Sequence, residues 1–105
     1  MSDWLTRTEL ILDEEKLTKL KNSNVLVVGL GGVGAYAAEM ICRAGLGSMT
    51  IVDGDRIHST NRNRQLPALK STEGLAKAEV MGKRIKDINP EINLTIIRNI
   101  LKMTE

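Results

Sequence analysis

The sequence predicts an α/β fold, a parallel sheet in the order β-α-β-α-β preceded by one helix. Three observations predict it. Two short β-branched runs, VLVV at 25–28 and SMTIV at 48–52, bracket a stretch of helical periodicity. A second helical stripe and a third apolar run, 92–100, follow them. Glycines and an Asn-Pro pair stand where one pattern gives way to the next.

The elements follow in order. Residues 6–21 read as a helix, with Asp13 able to cap, Glu14 and Glu15 behind it, and Lys16, Lys19 and Lys21 toward the end that favours cations. Asn22-Ser23-Asn24 breaks it. Residues 25–28 are wholly apolar, the pattern of a strand covered on both faces. After the glycines, Val33, Tyr36, Ala37, Met40, Ile41 and Ala44 recur as one helix face, ended by Gly45 and Gly47. The second strand, 48–52, closes on Asp53. Residues 54–70 are polar without a period and read as loop. From about Thr72, the stripe Leu75, Ala78, Met81, Ile85 and Ile88 marks a helix stopped at Asn89-Pro90. Strands alternating with helices imply right-handed crossovers and strand order 3-2-1, half of a doubly wound, Rossmann-like nucleotide-binding fold. In the whole fold the first strand is central, so here it is expected to leave an apolar edge unpaired. The chain therefore reads as an incomplete, N-terminal portion of such a domain, expected to self-associate or to be poorly stable.

Composition narrows the function classes. The chain has 105 residues, one small domain's worth, and an aliphatic core, since Trp4 and Tyr36 are its only aromatics and Phe is absent. Net charge is +2 with both signs interspersed, so charge gives no nucleic-acid footprint. Cys42 is the only cysteine, which excludes an internal disulfide, fits a reducing compartment and reads as a small buried hydrophobe. No apolar run reaches the ~20 residues of a membrane span, and the start lacks a secretory centre, so the expected location is cytoplasmic. The methionines read as core filler.

The chemistry begins at Gly29-Leu30-Gly31-Gly32-Val33-Gly34, a G-x-G-x-x-G between strand and helix. Gly29 permits the sharp exit from the strand, Gly31 or Gly32 lets backbone approach a phosphate, and Gly34 lets the helix pack on the sheet. The helix start supplies free N–H groups and a positive dipole end. Asp53, at the end of the second strand, suits ribose hydroxyls, and Asp53-Gly54 is equally a turn signal. To this point a dinucleotide-binding redox domain fits as well as an ATP site.

The loop that follows separates them. Residues 53–65, DGDRIHSTNRNRQ, carry the amides Asn61, Asn63 and Gln65 and the cations Arg56, Arg62 and Arg64, with Lys77 early in the next helix and off its apolar stripe. A long loop in a compact domain is usually functional. Arginines there could reach phosphates held by the glycine turn. A dinucleotide already held by backbone amides has little need of them. A triphosphate attacked at its α-phosphate does, because charge moves onto the departing pyrophosphate.

With VLVVGLGGVG, RAGLG, VDGD, TNRNRQ, GLAKAEVM and INP together, the chain resembles the adenylating enzymes related to ubiquitin-activating enzyme, including the ThiF/MoeB-type activators of sulfur-carrier proteins. The resemblance runs from about Arg7 to Ile97. Within the family, TNRNRQ followed by GLAKAEVM looks most like the tRNA threonylcarbamoyladenosine dehydratases, which use ATP to activate a carboxylate on a modified adenosine that then cyclises. The resemblance implies that Gly29, Gly31, Gly32 and Gly34 cradle phosphate and that Asp53 takes the ribose. It implies that Asp55, Thr60, Asn61, Asn63, Arg64 and Gln65 form the loop side of the nucleotide site, and that Lys77 contacts the phosphates as pyrophosphate leaves. Arg7 matches an arginine that reaches across a homodimer into the partner's site. Arg64, Lys77 and Arg7 are the expected catalytic set, with ATP and Mg²⁺ as cofactors. The metal-associated aspartate is expected beyond Glu105, and no metal ligand is assigned within the chain. The acyl substrate is expected to be tRNA, or alternatively the C-terminal tail of a small ubiquitin-like carrier protein. A non-catalytic nucleotide-binding fragment is the reading from another class.

Four features carry blander expectations. His58, the only histidine, reads as a loop surface residue without an identifiable partner. Lys83, Arg84 and Lys86 read as the wet face of a helix or, less simply, as contacts to tRNA phosphate. Arg62 stands where relatives often carry a small or apolar residue, and its role is open. Lys77 alone would read as an ordinary solvated lysine.

Overall fold

The computed structural model describes residues 3–99. Six main elements appear in the predicted order: α1 (Thr6–Lys21), β1 (Asn24–Val28), α2 (Gly34–Arg43), β2 (Ser48–Val52), α3 (Lys77–Ile88) and β3 (Asn93–Ile97). The strands form one parallel sheet ordered β1-β2-β3, with Val28, Val52 and Ile97 level at its carboxyl end. Hydrogen bonds continue one residue further, from Gly29 N to Val52 O at 2.7 Å and from Asp53 N to Ile97 O at 3.0 Å. That carries the sheet's order up to the glycine turn. Ile100, the last residue of the predicted third strand, lies outside the described residues. No described helix is long and apolar enough to cross a membrane.

The strands alternate in what they bury. Val25, Val27, Met49, Ile51, Leu94 and Ile96 face α2 and α3 and join an aliphatic core with Ala78, Met81 and Ile85 of α3. β1 departs from the expectation of coverage on both faces: Leu26 and Val28 are each 54% exposed. Both lie on the sheet face away from α2 and α3, on the edge strand.

α2 packs by a face that shares only part of the predicted stripe, with Ile41 joining the core. Ala35, Ala38 and Cys42 are fully buried, whereas Val33, Tyr36 and Met40 are exposed. The cause is close approach at the start of α2: a Cβ on Gly34 would overlap the carbonyl of Gly29, so the face turned to β1 there takes small side chains. Hydrophobicity alone pointed to the large residues, and space selected the small ones. Met49 and Met81 fill core, Met40 does not, and Met1 and Met103 lie outside the described residues.

α1 is broken at Asp13, whose φ of 62° and ψ of 172° leave the helical region. Asp13 then caps the second half, its Oδ1 accepting the Lys16 N–H at 3.0 Å. The stretch predicted as loop is locally built. Arg56 bridges to Ala76, buried Ile57 donates its N–H to Leu75 O at 2.8 Å, and Ser59–Asn63 and Lys70–Thr72 form 3-10 turns. α3 accordingly starts at Lys77, after Gly74 at φ 85°, and not near Thr72.

Candidate functional site

The strand ends place a shallow cavity of about 180 Å³ between Val28, Gly29, Val52, Asp53 and Gly54. That is below the ~300–1,000 Å³ of an ordinary ligand pocket, so these residues form a floor and one wall. Gly29 turns the chain with φ 91°, a conformation that a side chain would strain. Nothing lies within 4 Å of where a Cβ would stand on Gly29 or on Gly32, so the turn is open to an approaching group. A cavity of similar size, about 190 Å³, lies at the sheet's opposite end among Trp4, Leu46, Asn89 and Glu91, away from all of this chemistry.

A chain of contacts runs from the glycine turn to Lys77. Asp53 Oδ2 accepts the Leu30 N–H and its Oδ1 the Asp55 N–H, both at 2.7 Å. Asp55 O accepts the Lys77 N–H at 3.1 Å, and Asp55 Oδ2 takes the Lys77 ammonium at 3.2 Å. The Arg56 backbone N–H and then the Lys77 ammonium hold the Asp55 carboxyl below its usual value. Lys77 itself is only 5% exposed, which removes the reading of a solvated helix lysine. It is also the first residue of α3, where the helix dipole is positive. Burying a cation at such a place is doubly unfavourable for stability alone.

Asn61 and Gln65 form the other side. Asn61 is buried, and its Oδ1 accepts the His58 N–H at 2.9 Å while its carbonyl accepts the Gln65 N–H at 2.9 Å. The 3-10 turn thereby aims Gln65 at the glycines: its Nε2 stands 3.5 Å from the Cβ position of Gly31. Gln65 Oε1 is buried without a hydrogen bond. A buried polar atom left unmatched beside an open glycine turn fits a ligand that brings a donor. Among the described residues no group of three His, Cys, Asp or Glu side chains could hold a metal ion.

The structure commits the loop arginines locally. Arg56 donates to Gly74 O at 2.9 Å and Arg62 pairs with Glu73 at 3.2 Å, so both fasten the loop to the segment before α3. This corrects the expectation that they extend to the glycine turn, and it supplies the role left open for Arg62. Arg64 is exposed and bonds along its own turn, to Asn63 Oδ1 at 2.8 Å and Thr60 O at 3.2 Å. His58 has a partner after all, Asp55 Oδ1 at 3.4 Å. Arg7 lies in the first turn of α1, just past Leu5, which packs on Gly45 at the opposite end of the sheet. It does not join its own chain's turn.

The basic cluster on α3 also divides. Arg84 pairs with the buried Glu39 of α2, and Lys86 donates to Pro90 O at 3.0 Å and Ile92 O at 2.9 Å. Only Lys83 remains a plain surface cation. Glu39 was missed as a core residue; its spacing of four from Arg43 was the available signal. Cys42 is buried as expected, and burial pushes its thiol up to about 11.

Comparison with known proteins agrees with this fold. The chain is 48% identical over 93 residues to the tRNA threonylcarbamoyladenosine dehydratase of Bacillus subtilis (strain 168), covering 89% of this chain and 37% of that protein. It is 37% identical over 98 residues to the sulfur carrier protein ThiS adenylyltransferase of Escherichia coli (strain K12), covering 89% of this chain and 38% of that one. Among solved structures, the E. coli tRNA N6-threonylcarbamoyladenosine dehydratase in complex with ATP superimposes with a TM-score of 0.88 at 44% identity, over 93% of this chain and 42% of that one. The chain thus spans well under half the length of these relatives. The ThiF family model matches residues 5–105, nearly the whole sequence, and the chain belongs to the ThiF family.

Proposed function

We propose that this chain supplies the ATP-binding half of an adenylating site, with the glycine turn and Lys77 holding the triphosphate. In the reaction, a carboxylate oxygen of the acyl substrate attacks the α-phosphorus. The bond from that phosphorus to the bridging oxygen of the β-phosphate breaks, and pyrophosphate leaves with the bridging electrons. The product is an acyl-adenylate. The observation that carries the reading is the buried Lys77 ammonium, joined to the glycine turn through Asp53 and Asp55. A fixed cation there stabilises charge as it moves onto the departing pyrophosphate. Asp53 retains lone pairs for a ribose hydroxyl, since each oxygen has one partner. Gln65 and Asn61 close the site from the loop. Asn63, Thr60 and Arg64 form its outer turn, and Arg64 would have to release Thr60 O and Asn63 to reach a phosphate. Magnesium would arrive on the phosphates, from which it takes much of its coordination. Arg7 would act only across a homodimer.

The acyl substrate we favour is threonylcarbamoyladenosine in tRNA, because relatives of that name stand at 44–48% identity against 37% for the ThiS adenylyltransferase. The second reading, a carrier-protein tail, keeps its place through that similarity. Calorimetry with ATP, NAD and Lys77→Met tests the site. ATP should bind in preference to NAD, and Lys77→Met should weaken ATP about tenfold, the worth of a charge-assisted contact. A preference for NAD, or unchanged ATP affinity in Lys77→Met, overturns the reading. Pyrophosphate exchange stimulated by modified tRNA but not by carrier protein decides the substrate.

A further inference from the structure

We propose that Asp55 is a positioning residue for Lys77, fixing its ammonium at the glycine turn, and is not itself a nucleotide ligand. The inference rests on the ATP reading above and deepens it. Every hydrogen-bonding group of Asp55 except its remaining lone pairs is directed to the protein. Its N–H goes to Asp53 Oδ1 at 2.7 Å and its carbonyl accepts the Lys77 N–H at 3.1 Å. Oδ1 accepts the Arg56 N–H at 2.8 Å and faces His58 Nε2 at 3.4 Å, and Oδ2 holds Lys77 Nζ at 3.2 Å. One residue therefore ties the end of β2 to both the backbone and the head group of the first residue of α3. The neighbouring Arg56–Ala76 bridge repeats the tie.

Charge decides between the two roles. A carboxylate offered directly to a triphosphate repels it, so Asp55 as a phosphate ligand works against binding. As partner to Lys77 it has a clear use. A lysine side chain has four rotatable bonds, and this one is buried at a positive helix end. Without a counter-charge its head group would leave that position or lose it to disorder. An ammonium has three donors, so it can keep Asp55 and still offer donors to phosphate oxygens.

The test is calorimetry with ATP and AMP on the 105-residue chain and on Asp55→Ala, Asp55→Asn, Lys77→Met and the double Asp55→Ala/Lys77→Met variant. Far-UV circular dichroism checks that each folds. Lys77 reaches only the outer phosphates in this reading, so Asp55→Ala should weaken ATP about tenfold and leave AMP within about twofold. Asp55→Asn, which keeps the shape and loses the charge, should fall between. The double variant should be no worse than Lys77→Met alone, because both act through one head group. Tighter ATP binding in Asp55→Ala, equal losses for ATP and AMP, or losses that multiply in the double variant would each overturn the assignment while leaving the ATP reading intact. Lys77→Met with unchanged ATP affinity would overturn both.

Discussion

The two faces of β1 come from the same kind of sequence and end differently. Toward α2 and α3, Val25, Val27, Met49, Ile51, Leu94 and Ile96 enter a closed aliphatic core. On the other face of β1, Leu26 and Val28 remain half exposed. β1 alternates between the two faces residue by residue, with no change in hydrophobicity to mark the difference. What separates the faces is the presence of helices whose small residues permit close approach. The glycine turn belongs to the closed side, since Gly34 sets how near α2 lies to β1.

The strongest way to break this contrast is Gly34→Ala. Its Cβ would meet the Gly29 carbonyl, which is backbone and cannot swing aside, so α2 must lift from the sheet and the phosphate turn must deform with it. We expect a loss of roughly 3–4 kcal/mol, near the upper end for single substitutions, and no detectable ATP binding. Chemical denaturation beside calorimetry checks both. A folded Gly34→Ala chain with an intact site would refute the close-approach account of α2.

Truncations on the two faces sharpen it. Ile51 is 0% exposed and inside the core, so Ile51→Ala should cost about 2–5 kcal/mol. Leu26, at 54% exposure, should cost less than about 1 kcal/mol as Leu26→Ala. Denaturant midpoints for the pair measure the difference. Equal costs would mean that the second face is covered in solution, for example by another copy of the chain.

The contrast also explains what was legible in the sequence. Element order, the parallel sheet and strand order followed from periodicity and turn residues, because those signals are local. β2 at Ser48–Val52 and the stop of α3 before Asn89-Pro90 agree with the structure. The buried face of α2 was partly misread because hydrophobicity favours Tyr36 and Met40, whereas the backbone spacing that excludes them is a tertiary fact. The site divides in the same way. The glycines and Asp53 stood out by motif and spacing and Lys77 through the family resemblance, and hydrogen bonds link them in the structure. The pairing of Arg56 with Gly74 and of Arg62 with Glu73 was not readable, since both partners lie well beyond local reach. Nor was the partnership of His58 with Asp55, which depends on the 3-10 turn that follows.

The smallest expected effect concerns how the closed side is fastened, and it is a matter of pH. Glu39 is 5% exposed on α2 and receives Arg84 from α3 and Arg43 at 3.3 Å from its own helix. The hydrogen bond from Arg84 is the main cause that holds its carboxyl below the ordinary value of 4.5, with desolvation opposing it. A carboxyl whose folded value is depressed binds its proton less readily in the folded state than in the unfolded one. Its contribution is therefore fully present above about pH 4.5 and is lost as the pH falls through the lower folded value. Glu39→Gln removes that dependence. Thermal unfolding followed from pH 7 down to about pH 3 should show the unmodified chain losing more stability than Glu39→Gln across the acid limb. At pH 7 Glu39→Gln should be the less stable of the two, because it leaves Arg84 without its anion. Parallel curves would mean that the α2–α3 junction is held by Ala38, Met81 and their neighbours alone, with the ion pair contributing nothing to the closed face.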